Sequence, residues 1–387
     1  MSDIYARQLE ALRAHSLDRH LREISSPQGV IVDLNGKRLI NFSSNDYLGL
    51  ANDPHLREAA TKAIAEFGVG AGASRLISGT QSPHVRLEQA LAKWKGTEGA
   101  LCFSNGYAAA LGTIPALVGK NDIILLDKLC HASLIDGAKL SGATLRVFPH
   151  NHLGKLKSLL ESGCRKNCAA RILIITESVF SMNGDRAPLR EIVELKKNFG
   201  AQLFLDEAHA VGVIGRNGRG LAAEEHLSPE VDVQMGTLSK ALGVSGGYVC
   251  GSRNMIEWLI NRARSFIFST APPPALATAA NAAVDFLSSN KGERRRQRLW
   301  RNIDILAEEL SVRPLSAIVP WIIGDEQAAL AAARNLQDEG FFVPAIRYPT
   351  VAKGSARLRV TVSAAHEEVQ LRSLGAAIKR VAKKKLT

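Results

Sequence analysis

The 387-residue chain contains no apolar run that approaches the length needed to span a bilayer. Met1 to Glu10 is polar and mixed in charge, so it has no secretory apolar core, and a cytoplasmic protein is expected. Cysteine is scarce and odd in number: Cys102, Cys130, Cys164, Cys168 and Cys250 make five, which fits a reducing compartment and not a disulfide framework. Cys164 and Cys168 are close in sequence, but no second ligand pair stands at zinc-finger spacing, so no metal site is expected. A phosphate loop of the form G-x-x-x-x-G-K-[ST] is also missing. Gly36-Lys37, Gly119-Lys120 and Gly154-Lys155 are none of them followed by Ser or Thr. That removes the nucleic-acid motors whose name-giving box Asp206-Glu207-Ala208-His209 happens to spell, because their triphosphate cradle is absent. The run Gly68-Val69-Gly70-Ala71-Gly72 follows a helix-like segment and lacks the third spacing of a dinucleotide fingerprint.

What is present is an ordinary globular balance, 46% hydrophobic and 22% charged, in a chain long enough for two or more domains. The net charge of +12 is concentrated in Arg294-Arg295-Arg296 with Arg298 and Arg301, and in Lys379-Arg380 with Lys383-Lys384-Lys385. Such runs read first as solvated helix faces. The sharper alternatives are nucleic-acid binding and long-range attraction of an acidic substrate or carrier.

Val30 to Asn41 reads as a hairpin turning at Asn35-Gly36. Asp53-Pro54 and Ser82-Pro83 read as helix starts. From about residue 100 short apolar runs alternate with helical stretches. Candidate strands are 100–104, 122–127, 144–148, 171–176, 202–206, 232–235 and 248–251. Runs such as Ile172-Leu173-Ile174-Ile175 are apolar throughout, as strands covered on both faces are. The expectation is an α/β fold with a large, mostly parallel sheet, and ligands then collect beyond the carboxyl ends of its strands. Asp206, Ser181 and Lys240 fall at or just after such ends. Pro272-Pro273-Pro274 marks a boundary. Beyond it, helices at 275–289 and 294–310 and strands at 317–323, 341–346 and 357–362 describe a smaller α+β domain. The chain thus divides into an N-terminal arm (1–41), a large domain (42–274) and a small C-terminal domain (275–387).

Thr237-Leu238-Ser239-Lys240-Ala241-Leu242-Gly243, downstream of Asp206 and His209, carries the chemistry. A lysine for a Schiff base, a carboxylate for a pyridinium nitrogen and hydroxyl or backbone donors for a phosphate are what pyridoxal 5'-phosphate requires. Lys240 would hold the cofactor and, once displaced, serve as general base. The plainer alternative is a lysine in a surface turn, and for Asp206 a helix N-cap. Gly106-Tyr107 opens a helix after a strand, where unpaired N–H groups suit a phosphate. His131, just after a strand, could stack on a planar ring or be a satisfied structural histidine.

These residues resemble the α-oxoamine synthases, a group of fold-type-I pyridoxal phosphate enzymes. The likeness runs nearly the whole chain: Asn41 to Gly49, Ser74 to Thr80, His131 to Leu134, Glu177 to Asp185, Asp206 to Gly212, Thr237 to Gly247 and Ser363 to His366. The resemblance implies that Lys240 attaches the cofactor, Asp206 pairs with its ring nitrogen and His131 stacks on the ring. Ser181 and His209 would lie near the ring hydroxyl, and Gly106, Tyr107 and Thr237 would hold the phosphate. Thr270 would reach in from the second subunit of a homodimer. Arg359 would bind the amino-acid carboxylate, a task guanidinium geometry suits. Asn45 and Thr350 are carried over as substrate contacts.

At the acyl end Arg347 matches members of the group that take a pimeloyl chain, whose distal carboxylate gives an extra arginine a purpose. The arm would add Arg19 or Arg22. The implied reaction is a decarboxylating condensation of L-alanine with a pimeloyl thioester of coenzyme A or acyl carrier protein, in biotin biosynthesis. A sister enzyme such as glycine C-acetyltransferase is the nearest alternative, and a nucleic-acid-binding protein the alternative of another class.

Overall fold

All seven strands expected between residues 100 and 251 join one sheet. In the computed structural model, which describes residues 3–14, 17–166 and 170–383, the strands in chain order are β1 (Ile31–Leu34), β2 (Lys37–Asn41), β3 (Gly99–Phe103), β4 (Ile123–Asp127), β5 (Thr144–Phe148), β6 (Ile172–Glu177), β7 (Gln202–Asp206), β8 (Val233–Thr237), β9 (Gly247–Gly251), β10 (Ile318–Gly324), β11 (Phe341–Phe342), β12 (Ala345–Ile346) and β13 (Ala356–Thr361). The large sheet has the order β3-β9-β8-β7-β6-β4-β5. β9 is antiparallel to both its neighbours, and every other pair is parallel.

Burial explains the apolar strands. Every residue of β6, β8 and β9 is buried, since helices cover both faces of the sheet. One apolar cluster includes Leu173, Ile175 and Phe204, and another on the opposite face includes Ile172, Ile174 and Leu203. The strand alternation that splits β6 between these two clusters is the two-residue period of extended backbone.

The hairpin forms as expected: β1 pairs antiparallel with β2, and Asn35 and Gly36 take positive φ angles of 50° and 76°. Asp53 caps helix Pro54–Phe67 by accepting the His55 N–H, and helix Ser82–Lys95 carries Pro83 in its first turn. The triple proline ends at helix Pro274–Ser288, and Ser289 then caps the long helix Asn290–Leu310 by accepting the Gly292 N–H at 3.2 Å.

Two expectations change. The run 341–346 is not one strand: β11 pairs parallel with β2, whereas β12 pairs antiparallel with β13. The break falls at Val343-Pro344, where proline has no N–H to continue a ladder. The arginine cluster is not simply a solvated face either. Arg295 donates to the Leu48 carbonyl, Arg296 to that of Leu287 and Arg298 to that of His366. Lys384 and Lys385 of the second cluster, and Cys168, lie outside the described residues. Among the described residues no helix is long and apolar enough to cross a membrane.

The small antiparallel sheet β10-β13-β12 sits against the loop that follows β6. Arg357 and Arg359, two apart on β13 and so on one face of it, both reach this loop. Arg357 donates to the Met182 carbonyl and to Asn183 Oδ1, and Arg359 donates to the Ser181 carbonyl at 2.6 Å. Gly184 makes the close approach possible. Its φ is +71°, and a Cβ there would collide with the Ile318 carbonyl.

Candidate active site

The carboxyl ends of β6, β7 and β8, the start of helix Gly106–Leu117 and the turn before helix Ala132–Leu140 enclose a cavity of about 250 Å³. Its lining includes Gly106, Tyr107, His131, Glu177, Asp206, His209, Thr237 and Lys240, so eight expected or newly found groups share one space.

Asp206, the last residue of β7, is buried and accepts the Ala208 N–H at 2.8 Å. Burial raises its carboxyl above the usual range, opposed chiefly by the positive charge of Lys240. Lys240 lies three residues past β8. Burial pulls its amine down to about 8, opposed by Asp206 and Glu177. His209 touches Nζ of Lys240 through Nε2 at 3.0 Å, and burial holds this imidazole well below its ordinary value. His131 caps helix Ala132–Leu140, its Nδ1 lying 2.8 Å from Ser133 Oγ and accepting the Ser133 N–H at 3.2 Å. Burial lowers its titration as well.

The opposite wall offers donors. Asn105 caps helix Gly106–Leu117 through the Ala108 N–H, leaving the first-turn N–H groups of Gly106 and Tyr107 without intrahelical acceptors. A Cβ on Gly106 would stand 3.6 Å from that of Thr237, filling the space between them. Thr237 Oγ1 donates to the Gly246 carbonyl at 2.9 Å and lies 2.6 Å from Ser239 Oγ.

The remaining expected residues do not line this cavity. Arg359 is buried, with Nε on the Ser181 carbonyl, one terminal nitrogen on Thr361 Oγ1 and the other on Asn45 Oδ1 at 3.1 Å. Ser181 is thus held by its carbonyl and does not line the cavity. Arg347 donates to the Asp18 carbonyl at 3.3 Å, next in sequence to the exposed Arg19. Arg22 instead places its guanidinium 5.8 Å from the Phe342 ring centre. Thr350 is exposed, and its N–H closes a turn onto the Arg347 carbonyl. Thr270 is exposed, bridges to Ser74 and does not line the cavity of its own chain.

Sequence reasoning missed two members. Glu177 ends β6 inside the cavity and accepts the His131 N–H at 2.5 Å, and burial together with the Asp206 charge raises its carboxyl far above the usual range. Its sequence signals were its place at the head of the Glu177 to Asp185 stretch and its position as a lone acid closing an apolar strand, neither of which assigns it a role. Tyr47 lies behind His209, with its hydroxyl 2.5 Å from Nδ1. Tyr47 falls inside the Asn41 to Gly49 stretch, but nothing in that stretch shows which partner the tyrosine meets across the fold.

The donor set fits pyridoxal phosphate. A buried carboxylate that lacks a hydrogen-bonded cation calls for an N–H on the ring, an amine near neutrality suits imine formation, and a helix start beside Thr237 suits the phosphate.

The class I and II aminotransferase family model matches residues 37–378. An 8-amino-7-oxononanoate synthase of Geobacter sulfurreducens is 45% identical over 389 residues, covering 99% of each chain. Serine palmitoyltransferase from S. paucimobilis, solved with a PLP–myriocin aldimine, superposes with a TM-score of 0.92 at 31% identity over 98% of this chain and 97% of that one. An 8-amino-7-oxononanoate synthase of Francisella tularensis gives a TM-score of 0.77 at 28% identity, covering 90% and 99%. The chain belongs to the class I and II aminotransferase family, on the fold-type-I scaffold of pyridoxal phosphate enzymes. Within that family it falls among the 8-amino-7-oxononanoate synthases, acyltransferases of biotin biosynthesis, and its cofactor is pyridoxal 5'-phosphate.

Proposed function

We propose that this site joins L-alanine to a pimeloyl thioester, releasing carbon dioxide and a free thiol and leaving 8-amino-7-oxononanoate. The observation that carries the reading is the meeting of Lys240, Asp206, His131 and the Gly106 helix start in one cavity. Pyridoxal phosphate, when bound, supplies an electron sink for the charge left on the α-carbon. Lys240 holds the cofactor and, once free, takes the α-proton and later returns one. A titration near 8 lets it do both close to neutral pH. Asp206 would keep a proton on the ring nitrogen, and His131, lining the same cavity, would stack on the ring and donate to the developing ketone oxygen. Thr237 and the N–H groups of Gly106 and Tyr107 would hold the phosphate and His209 would serve the ring hydroxyl, while Ser181, outside the cavity lining, would act through the carbonyl that fixes Arg359.

Arg359 and Asn45 hold the alanine carboxylate in this reading. Arg347, Thr350 and Arg19 face the acyl chain, and the Arg347–Asp18 contact favours Arg19 over Arg22. A carbon–carbon bond forms between the α-carbon and the thioester carbonyl, and the carbon–sulfur bond breaks with loss of thiol. Carbon dioxide then leaves, and a proton returns to the same carbon. The acyl carrier is coenzyme A or an acyl carrier protein.

The same reading divides the chain at residues 41 and 274 and has the enzyme work in the cytoplasm as a homodimer. Thr270 of the partner subunit would complete the phosphate site. Leu76, Ile77 and Phe268 support this, because they flank the Ser74–Thr270 bridge with large apolar side chains 49%, 80% and 70% exposed.

Thiol release by the cofactor-loaded protein tests the reading, with pimeloyl-CoA and L-alanine, glycine or L-serine in turn. Release with L-alanine, and little with acetyl-CoA, supports it. Release with glycine and acetyl-CoA would instead make it a sister acetyltransferase.

A further inference from the structure

Tyr47 is buried behind the cavity and has no task in the scheme above. Its hydroxyl lies 2.5 Å from Nδ1 of His209 and 3.3 Å from Oδ1 of Asn45. His209 continues to Nζ of Lys240, and Asn45 Oδ1 accepts from Arg359. A line of hydrogen-bonding groups therefore runs from Lys240 through His209 and Tyr47 to Asn45 and Arg359. Arg359 also donates toward the Tyr47 oxygen, which still keeps a lone pair for His209.

Counting hydrogens limits what this line can do. Burial pushes the Tyr47 phenol up to about 12, so it keeps its one hydrogen at neutral pH. His209 stays neutral there, with one N–H and one bare nitrogen. Two arrangements satisfy every group. In the first, Tyr47 donates to Nδ1 and the Nε2–H donates to a neutral Lys240 amine. In the second, a Lys240 ammonium donates to Nε2, the Nδ1–H donates to the Tyr47 oxygen, and Tyr47 donates to Asn45 Oδ1. Rotation of one hydroxyl thus lets the imidazole follow the charge of Lys240 without becoming charged itself.

We propose that Tyr47 is a positioning residue: by turning its hydroxyl between His209 and Asn45, it sets which nitrogen of His209 carries the proton and whether the ring donates to or accepts from Lys240. The functional meaning rests on Lys240 as cofactor amine and proton carrier. The other charged groups around the line are Asp206 and Glu177, which favour the ammonium, Arg359, which opposes it, and His131.

Tyr47→Phe keeps the buried ring and removes the rotor. The second arrangement would then leave the Nδ1–H as a buried donor without an acceptor, a costlier fault than the bare nitrogen left in the first. Side-chain ¹⁵N spectra of the full-length, cofactor-free variant should show His209 held as the Nε2–H tautomer. The Lys240 midpoint should fall by about one pH unit. Asn45→Ala, which removes the alternative acceptor, should shift both in the same direction and serves as the second variant. In the loaded enzyme kcat should fall roughly tenfold, with the KM for L-alanine little changed in Tyr47→Phe. A residue that only packs would lower the melting temperature and leave the tautomer and the Lys240 midpoint in place; that result overturns the proposal. Lys240→Ala separates the two levels: retained turnover there would sink the functional reading alone, since the spectra are read without cofactor.

Discussion

Glu177 and Asp206 are register partners at the ends of neighbouring parallel strands, so two buried carboxyl groups face one cavity side by side. Two such groups do not both ionise cheaply. Lys240 acts on both, but it is the chief charge on Asp206, whereas on Glu177 the Asp206 charge outweighs it, so Glu177 is the one driven furthest toward its neutral form.

Glu177→Gln should therefore be tolerated, because the amide oxygen can still accept the His131 N–H. Asp206→Asn should lower kcat by roughly a hundredfold or more, the scale of a broken buried charge pair. The pH sign follows from the raised Glu177 titration. Above its ordinary value near 4.5 the unfolded chain releases this proton while the folded chain keeps it, so the native carboxyl costs stability as pH rises. Melting curves of the two proteins from pH 5 to 8 should favour Glu177→Gln progressively; a constant offset would contradict the neutral assignment.

His150 is clamped between Asp127, at 3.1 Å from Nδ1, and Asp185, at 2.6 Å from Nε2. Burial opposes its charge, but the two carboxylates win and raise it to about 9. The stabilisation is complete below about 6.5 and is lost as pH rises through about 9. His150→Gln should cost about 1–2 kcal/mol at pH 6, allowing for solvent screening, and much less near pH 10. Urea unfolding of both proteins at the two pH values checks this.

Arg347→Ala should lower kcat/KM for pimeloyl thioester by about 10- to 100-fold, the worth of one charge-assisted hydrogen bond. A short acyl thioester should be used almost as before. Equal losses on both would mean that Arg347 does not read a distal carboxylate.

The large sheet was legible because its strands are buried on both faces, which leaves a continuous apolar signature in β6 and its neighbours. Lys240 and Asp206 were legible because small residues and strand ends frame them. Glu177 and Tyr47 were not, since their partners His131 and His209 arrive from distant segments. The run 341–346 misled for a related reason: its two halves are equally extended locally, and only their partners in β2 and β13 divide them. Arg295, Arg296 and Arg298 looked solvated because charge patterning carries no record of the carbonyl oxygens a fold will bring near.

The pairing of β11 with β2 has a consequence for how the chain is made. Ile40 and Asn41 leave the ribosome early, and their neighbours Phe341 and Phe342 leave it near the end. Until then the outer edge of β2 presents bare N–H and C=O groups, a surface open to mispairing with other nascent chains. The hairpin must wait for nearly the whole polypeptide, so premature termination before Phe341 releases a fragment with an open strand edge. Such fragments should be the natural clients of chaperones in the expressing cell.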